Sequence, residues 1–592
     1  MPLIVQKFGG TSVADTEKIL AAARKAIRAQ QQGNHVVMVV SAMGKNTDML
    51  VDLAAEISER PAAREMDMLL STGEQVSVAL MAMAIHSLGH QAVSLTGAQI
   101  GIKTDSTHTK ARIKSISTER MQRLLDEGNI VIAAGFQGID EDFNITTLGR
   151  GGSDTTAVAL AAVLDADACE IYTDVDGVYT TDPRKLPEAR RVTQISYDEM
   201  LELASLGAGV MHSRSIEFAK KYGVPIHVRS SMTDIPGTVI AQSPETRERP
   251  VSGAAVTRDE ARVSVLGVPD VPGTSFEIFS RIADRKVTVD MIVQNVGAEG
   301  RADVSFTVPK EELDETLEAV NAALEVVGAG TVTHSDDVSK VSVVGLGMAQ
   351  QSGVAEKMFR AVSEAGINIE MITTSEIKIS VLVSREHSQD ALRAVHDAFN
   401  LHQDPATIEE VQETTRQAAD VADVVARLRG IDMEELFLND IQLDQTQARV
   451  TIHGVPDTPG VASTVFQEVA AAGIFVDMIV QSYNADEQRA NLGFTVPRDQ
   501  HDATLDVATR LAETFACEGT SSSPNVAKLS VSGVGLRSHT SVAIRMFRAL
   551  SEAGINVEVI STSEVRVNAV VDGEQGEQAL HCLQAAFADV LR

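Results

Sequence analysis

Three segments of the sequence place cationic and carboxylate side chains beside glycines, a composition that suits the transfer of a phosphoryl group. They are Lys7-Phe-Gly-Gly-Thr-Ser12, Gly149-Arg-Gly-Gly-Ser-Asp-Thr155 and Thr173-Asp-Val-Asp-Gly-Val-Tyr-Thr-Thr-Asp-Pro-Arg184. Glycine backbone can approach phosphate oxygens closely, and lysine or arginine can neutralise their charge. In a P-loop the lysine follows the glycines, whereas Lys7 precedes Gly9 and Gly10, so the sequence excludes a P-loop. The pattern predicts a nucleoside triphosphate site built from three loops.

The elements that carry these loops follow a regular alternation up to about residue 245. Short apolar runs such as 36–40 and 169–172 predict strands, and amphipathic stretches such as 16–30 and 155–164 predict helices. This alternation is typical of an α/β domain with a mostly parallel sheet covered by helices. Ligands of such sheets bind at the carboxyl ends of the strands. Because each of the three segments follows an apolar run, we expect them to meet at that edge.

Composition excludes several classes of protein. The 592 residues carry a net charge of −31, which repels nucleic acid and anionic lipid, so we expect neither as a partner. The chain is long enough for three to five domains. Its three cysteines do not form the framework of a secreted protein, and no run of 18 apolar residues is present. We expect a cytoplasmic protein with no membrane association.

The second half of the chain repeats itself. Residues 267–295 match residues 454–482 at 14 of 29 positions, and 340–383 match 528–571 at 23 of 44. The offsets, 187 and 188, indicate tandem duplication of one long segment. Each copy contains two smaller units of strand, turn, helix, strand, strand and helix, and 330–334 adds a closing strand to the first unit.

The second unit of each copy has no closing strand after its last helix. Residues 253–258 and 437–443, just before each copy, are the spare strands, so we expect the first unit to be inserted within the second. Residues 403–435, which join the copies, have helix-like apolar spacing and predict a helical connector.

The motifs together resemble the aspartate kinase family of amino-acid kinases. The resemblance rests on the three segments above, on Ser41-Ala-Met43 and on Ser71-Thr-Gly-Glu74, while the downstream units are similar to regulatory ACT domains. It implies a three-layer α/β amino-acid-kinase fold with a mostly parallel sheet, followed by four ACT-type βαββαβ, ferredoxin-like domains in two tandem nested pairs. The implied limits are 1–245 for the catalytic domain, 260–335 for ACT unit 1, 251–259 plus 336–402 for unit 2, 446–523 for unit 3, and 436–445 plus 524–592 for unit 4. A typical member has one ACT pair, whereas this chain has two.

The resemblance also implies an activity, namely ATP-dependent phosphorylation of the L-aspartate β-carboxylate on the route to lysine, threonine and methionine. Two anions react, so the site must neutralise charge and align both partners. Lys7, Arg150 and Asp154 would be catalytic. Arg150 would also bind the α-carboxylate of aspartate, Glu74 would bind its ammonium group, and Ser41 and Thr47 would line the pocket.

ATP with Mg²⁺ is the implied cofactor, without a dedicated cage of protein ligands for the metal. The matching nucleotide-binding positions are Lys7, Gly9, Gly10, Ser12, Thr173, Asp174, Tyr179, Asp182, Arg184 and Arg229. Lysine and threonine would bind at ACT–ACT interfaces as inhibitors. The matching effector positions are Asp270, Gln294, Asn295, Asn368, Ile369, Ser375, Glu376, Asp457, Gln481, Asn556, Val557, Ser563 and Glu564. Because isolated ACT sheets expose edge strands, we expect a homodimer formed through these domains.

Two other functions are also compatible with these residues. The chain could phosphorylate another small amino-acid carboxylate, or it could be an inactive amino-acid sensor that uses the kinase fold as a scaffold. The joint presence of Lys7, Arg150 and Asp154 argues against a pure sensor. His212 fits a structural hydrogen-bonding role better than a ligand role.

Overall fold

The computed structural model describes residues 1–207, 210–296, 300–351, 353–405, 432–434, 437–484, 489–534, 536 and 541–591. The predicted helical connector, 403–435, lies mostly outside the described residues, as does the side chain of Asn295.

The amino-terminal domain contains the first twelve strands of the described chain and eight helices. The strands are β1 (Leu3–Phe8), β2 (His35–Val40), β3 (Ala92–Leu95), β4 (Ile102–Thr104), β5 (Ile113–Ile116), β6 (Ile130–Ala134), β7 (Gln137–Ile139), β8 (Ile145–Thr147), β9 (Ala168–Thr173), β10 (Gln194–Ser196), β11 (Ile226–Ser230) and β12 (Thr238–Ala241). The helices are α1 (Thr16–Gln31), α2 (Asn46–Ile57), α3 (Ala63–Ser87), α4 (Gly97–Ile100), α5 (Glu119–Asp126), α6 (Gly152–Val163), α7 (Tyr197–Ser205) and α8 (Ser213–Tyr222).

Eight of these strands form one sheet in the order β10-β12-β11-β9-β1-β2-β6-β3. The six strands from β11 to β3 run parallel to one another, and β12 is antiparallel to β11. β1 and β2 are almost wholly buried because helices cover both faces of the sheet. The carboxyl ends of β1, β2, β6, β9 and β11 therefore lie along one edge, which confirms the predicted parallel α/β fold.

Helix α6 begins at Gly152, three residues earlier than the sequence pattern predicted. Gly151 immediately before it has φ 73°, a left-handed conformation that glycine adopts without strain. The earlier start places Asp154 in the first turn of the helix.

The carboxy-terminal region contains twelve further strands and eight helices among the described residues. The strands are β13 (Gly253–Pro269), β14 (Asp290–Val296), β15 (Arg301–Pro309), β16 (Thr331–Val344), β17 (Met371–Thr374), β18 (Lys378–Ser384), β19 (Phe437–Pro456), β20 (Ile479–Asn484), β21 (Arg489–Pro497), β22 (Gly519–Val534), β23 (Val559–Thr562) and β24 (Arg566–Asp572). The helices are α9 (Thr274–Asp284), α10 (Leu313–Val327), α11 (Val354–Glu364), α12 (Ser388–Ala398), α13 (Val461–Ala471), α14 (His501–Thr514), α15 (Ser541–Glu552) and α16 (Gly576–Ala586).

These twelve strands form one sheet in the order β14-β15-β13-β16-β18-β17-β20-β21-β19-β22-β24-β23. Residues 253–257 of β13 pair with 340–344 of β16, so the strand that precedes the first copy completes its second unit. The same arrangement recurs where β19 pairs with β22. The nested arrangement of ACT-type units is thus confirmed, although the limits of each unit stay a prediction.

The prediction that the two nested units of a copy use separate strands was wrong. Residues 253–258 and 262–267 belong to the single strand β13, and residues 331–334 of the predicted closing strand belong to β16, which continues to Val344. Irregularities in the β13–β16 register between Thr257 and Arg262 let one continuous strand serve both units.

The two copies are joined edge to edge within one chain. Strand β17 of unit 2 pairs antiparallel with β20 of unit 3, with Ile372 opposite Gln481. An apolar cluster from all four units, including Met291, Met371, Met478 and Val559, is buried between them. An edge that was expected to pair between two chains is therefore already paired within one chain.

Helix α3 is the one described helix that is long and apolar enough to cross a membrane. Its residues Val78, Met81 and Ile85 are buried in the core beside α1 and β2. The helix also carries the buried carboxylates of Asp67 and Glu74. It is packed as a core helix of the amino-terminal domain.

Candidate active site

Lys7 and Asp154 form an ion pair at the carboxyl edge of the main sheet. The Lys7 Nζ atom lies 2.6 Å from Asp154 Oδ1, and both side chains are about nine-tenths buried. Lys7 is the penultimate residue of β1, and Asp154 lies in the first turn of α6, where the helix dipole favours a negative charge. Two predicted catalytic residues, 147 positions apart in the sequence, are thus in direct contact.

The glycine turn after β1 packs closely against the end of β2. The Gly9 N–H donates to the Tyr172 carbonyl oxygen at 3.2 Å, and the Gly44 N–H donates to the Gly10 carbonyl oxygen at 3.0 Å. A Cβ atom on Gly10 would lie 2.7 Å from the Ala42 carbonyl oxygen, so no larger residue fits there. Ser12 Oγ donates to the Tyr172 carbonyl oxygen at 3.5 Å. These contacts fix the first predicted segment against the residues after β2 and against Tyr172, which directly precedes the third segment.

Arg150 lies in a tight turn between β8 and α6. Gly149 and Gly151 on either side have φ values of 77° and 73°, and Arg150 itself is exposed. A Cβ atom on Gly151 would lie 2.4 Å from His212 Cβ, so the turn packs against the amino-terminal end of α8. His212 caps that helix, with Nδ1 accepting from the Arg214 N–H, as expected for a structural histidine. The turn presents Arg150 to solvent on a rigid support.

Glu74 is a buried carboxylate beside the end of β2. Its Oε1 accepts a hydrogen bond from the Ala42 N–H at 3.1 Å. Burial raises the pKa of Glu74 to about 7, and the hydrogen bond from Ala42 only partly opposes this. Ser41 continues from β2 with its N–H donating to the Phe8 carbonyl oxygen, and Thr47 is half-buried in the first turn of α2. The structure thus brings Glu74 and Ser41 to the same edge as Lys7.

Part of the predicted nucleotide segment lies at this edge, and part leads away from it. Thr173 ends β9 and its hydroxyl donates to the exposed Asp174. Tyr179 donates to Asp176, while Asp182 pairs with Arg184 at 3.0 Å. Tyr179, Asp182 and Arg184 thus make their observed contacts within their own segment. The Thr180 carbonyl of that segment accepts a hydrogen bond from the Ala254 N–H at the start of β13.

Arg229 on β11 is linked to the site through a carboxylate that sequence reasoning missed. Its Nη1 lies 3.4 Å from Glu170 Oε1, and Glu170 also accepts from Gln6 and from the Tyr172 hydroxyl. Glu170 interrupts the apolar strand β9, and a carboxylate within a buried strand was the available signal. A second missed carboxylate, the fully buried Asp67, accepts from the Thr109 N–H and the Thr147 hydroxyl.

The predicted effector residues meet across the two copies. Asn368 Nδ2 donates to Asp457 Oδ1 at 2.9 Å, and Gln481 Nε2 donates to the Ile369 carbonyl at 3.1 Å. The same contacts recur between units 1 and 4, where Asn556 donates to Asp270 at 2.7 Å and Gln294 donates to the Val557 carbonyl at 2.6 Å. Each set of contacts therefore combines residues from both copies. The sequence did not reveal this pairing.

The remaining effector positions line two related cavities. Ser375 and Glu376 line a cavity of about 310 Å³ between units 2 and 3, and Glu376 is ion-paired with Arg566. Ser563 and Glu564 line a cavity of about 90 Å³ between units 1 and 4. The Glu564 N–H donates to Glu202 on α7, so this second turn contacts the amino-terminal domain.

The sheet, the Lys–Asp pair and the glycine turns define a phosphotransferase of the amino-acid kinase class, here followed by ACT domains. The model of the amino acid kinase family matches residues 2–230, and ACT domain models match residues 261–325, 341–399 and 529–587. The chain belongs to the aspartate kinases, phosphotransferases with a carboxyl group as acceptor.

Several relatives match two thirds or more of the chain. An aspartokinase of Geobacillus stearothermophilus is 51% identical over 409 residues, which are 69% of this chain and 100% of the relative. The crystal structure of aspartate kinase from Synechocystis is 40% identical, covers 99% of this chain and 98% of its own, and has a TM-score of 0.52. E. coli aspartokinase III in complex with aspartate and ADP is 25% identical over 67% of this chain and 99% of its own, with a TM-score of 0.57. The same E. coli enzyme has also been solved with lysine and aspartate.

Proposed function

We propose that this enzyme transfers the γ-phosphoryl group of ATP to the β-carboxylate of L-aspartate, with Lys7, Arg150 and Asp154 as its catalytic residues. The carboxylate oxygen forms a bond to the γ-phosphorus, the bond to the β-phosphate oxygen breaks, and ADP leaves. The 2.6 Å contact between Lys7 and Asp154, beside two glycine turns, carries this proposal. The substrate carboxylate is already ionised near neutral pH, so no strong base is required.

Charge neutralisation is the main demand of this reaction, because two anions approach each other. Lys7 supplies a cation at the end of β1, and Asp154 fixes its ammonium group. Exposed Arg150 is free to bind the α-carboxylate of aspartate, while Glu74 binds its ammonium group in the ionised form. Ser41 and Thr47 line the same pocket.

The nucleotide lies against the remaining loops in this proposal. The phosphates lie against the turn formed by Gly9, Gly10 and Ser12, with Thr173 and Asp174 beside it. The further contacts are assigned to Tyr179, Asp182, Arg184 and Arg229. Mg²⁺ bound to ATP offsets phosphate charge and needs few protein ligands; Asp174, an exposed carboxylate at this edge, suits contact with its water shell.

A substrate panel tests the choice of acceptor. Purified enzyme with ATP and Mg²⁺ should release ADP with L-aspartate, and added hydroxylamine should trap the acyl phosphate. L-glutamate at the same concentration should give at most a few per cent of that rate. A preference for another carboxylate would establish the alternative kinase activity, and no ADP release with any acceptor would favour an amino-acid sensor.

We further propose that lysine and threonine inhibit the enzyme by binding between ACT units of different copies. The proposal is supported by the lysine-bound E. coli relative and by the two sets of cross-copy contacts, from Asn368 to Asp457 and from Asn556 to Asp270. Amides, carboxylates and turn N–H groups of this kind suit a zwitterionic amino acid. Rates measured with lysine alone, threonine alone and both together would separate single from concerted inhibition, and a lack of response to all three would refute the proposal.

The last part of the proposal concerns the cellular location and the oligomeric state of the enzyme. We place it in the cytoplasm, consistent with its free cysteines, at the start of a route to lysine, threonine and methionine. A homodimer through the ACT units has to use a surface other than the β17–β20 edge, which is paired within the chain. Sedimentation at micromolar concentration tests the dimer, and a monomer would contradict it.

A further inference from the structure

Residues 432–434, at the end of the segment that joins the two ACT copies, are anchored in the amino-terminal domain. The Met433 N–H donates to the Lys114 carbonyl at 3.1 Å, and the Met433 carbonyl accepts from the Tyr222 hydroxyl at 2.8 Å and from Lys221 Nζ at 3.0 Å. The Met433 side chain is buried in the core of that domain. The anchor is therefore both polar and apolar.

Glu434 forms a two-point ion pair with Arg214 at the start of α8. Arg214 Nε lies 2.6 Å from Glu434 Oε2, and Arg214 Nη2 lies 2.7 Å from Glu434 Oε1. The same Oε1 accepts from the Ile113 N–H at 2.8 Å. Both charged side chains are largely buried, at 15% and 9% exposed. Partly desolvated charge-assisted contacts of this two-point kind are strong and directional.

Arg214 connects this carboxylate to the turn that carries Arg150. Its Nη1 donates to the Leu148 carbonyl and its Nη2 donates to the Ala111 carbonyl at 2.6 Å. Leu148 directly precedes the Gly149–Gly151 turn, and that turn packs against His212, two residues before Arg214. The Arg214 guanidinium thus contacts both Glu434 and the residue at which the Arg150 turn begins.

We propose that Glu434 is a positioning residue for phosphoryl transfer, which acts by holding Arg214 and, through Leu148, the turn that presents Arg150 to aspartate. The inference rests on the proposed role of Arg150 as the residue that binds the aspartate α-carboxylate. It means that residues 432–434, in the stretch between the two ACT copies, complete the support of the aspartate site. A second consequence is that the activity of the amino-terminal domain depends on residues beyond the first ACT copy.

The test is Glu434→Gln in the full-length enzyme, with Asp432→Asn as the matched control. Asp432 is an exposed acid two residues away, so its variant makes the same charge change in the same segment. Loss of the charge-assisted contacts should raise the KM for aspartate roughly 10-fold. The KM for ATP should stay within about twofold of the wild-type value, because the side-chain hydrogen bonds that Arg214 makes among the described residues go to Glu434, Leu148 and Ala111 and not to the glycine turn after β1. Asp432→Asn should leave both values unchanged.

Two further variants separate positioning from simple anchoring. Glu434→Asp retains the charge and should recover part of the aspartate affinity. Glu434→Gln/Arg214→Gln should be no worse for aspartate than the more impaired single variant, because both residues act through one contact. A lowered melting temperature with unchanged KM for aspartate in Glu434→Gln would overturn the inference and leave the segment a structural anchor.

The proposed role of Arg150 is tested independently by Arg150→Ala. If that variant raises the KM for aspartate and Glu434→Gln does not, the positioning role of Glu434 is refuted while the proposed site stands. If Arg150→Ala leaves the KM for aspartate unchanged, the site assignment itself is refuted, and the inference is refuted with it.

Discussion

Glu202 Oε2 lies 2.8 Å from Lys378 Nζ, and both side chains are almost completely inaccessible to solvent. The pair joins α7 of the amino-terminal domain to β18 of ACT unit 2. The other oxygen of Glu202 accepts from the Glu564 N–H of unit 4 at 3.0 Å. Burial alone lowers the pKa of Lys378, but the nearby carboxylates of Glu202, Asp290 and Glu564 outweigh it and raise the pKa. One buried ion pair therefore connects the catalytic domain to both regulatory copies.

Breaking this pair on one side should destabilise the contact between the domains. Lys378→Met leaves the Glu202 carboxylate buried without its cation, which costs about 3–5 kcal/mol for a buried pair. We expect a lower melting temperature and weaker inhibition by lysine. Lys310→Met is the control, since Lys310 and Asp336 form an exposed pair that contributes little. Equal melting temperatures and equal lysine inhibition in the two variants would contradict the prediction.

The affinity for aspartate should depend on pH through Glu74. Its pKa of about 7 means that the carboxyl group is largely protonated at pH 6 and largely ionised at pH 8. Because only the ionised form attracts an ammonium group, the KM for aspartate should fall as the pH rises through about 7. Glu74→Gln should have a higher KM that no longer changes in this range. A pH profile shared by the wild type and Glu74→Gln would assign the titration to another group.

The raised pKa of Glu74 also affects the stability of the fold, and here a rise in pH is unfavourable. The folded-state pKa of Glu74 is raised above the ordinary value of about 4.3, so folding favours the protonated form. Its stabilising contribution is complete below about pH 4.3 and is lost as the pH rises through about 7. In the absence of substrate, Glu74→Gln should therefore gain stability relative to the wild type between pH 5 and pH 8. Melting curves at both pH values measure this difference.

The two cross-copy contact sets should separate the effector responses. Asn368→Ala removes the amide that bonds Asp457 between units 2 and 3, and Asn556→Ala removes its counterpart to Asp270 between units 1 and 4. We expect each variant to raise the half-inhibitory concentration of lysine or threonine roughly 10-fold, as befits the loss of a hydrogen bond to a charged group, without changing the uninhibited rate. The two variants serve as each other's control. Wild-type inhibition in both would rule out these interfaces as effector sites.

The sequence predicted the parts of the site that follow from the geometry of a parallel sheet. Lys7 and Asp154 were expected to meet because each follows an apolar run, and strands of such a sheet end at one edge. The cross-copy contact between Asn368 and Asp457 could not be predicted, because two similar copies allow several pairings with the same sequence pattern. Glu434 was missed because a single acid in a joining segment has no local signal. Its proposed role depends on Arg214, which is 220 positions away in the sequence.

Steady-state kinetics of Lys7→Ala test whether this edge of the sheet is the active site. Aspartate-dependent ADP release by purified enzyme should fall on the order of 10²-fold or more, since Lys7 neutralises charge that develops in the transition state. Asp154→Ala, which removes its ion-pair partner, and Arg150→Ala should lose activity on a similar scale. Lys18→Ala, a change at a partly exposed lysine on α1, should keep the wild-type rate and melting temperature. Near-normal turnover by a correctly folded Lys7→Ala enzyme would contradict the assignment of this site.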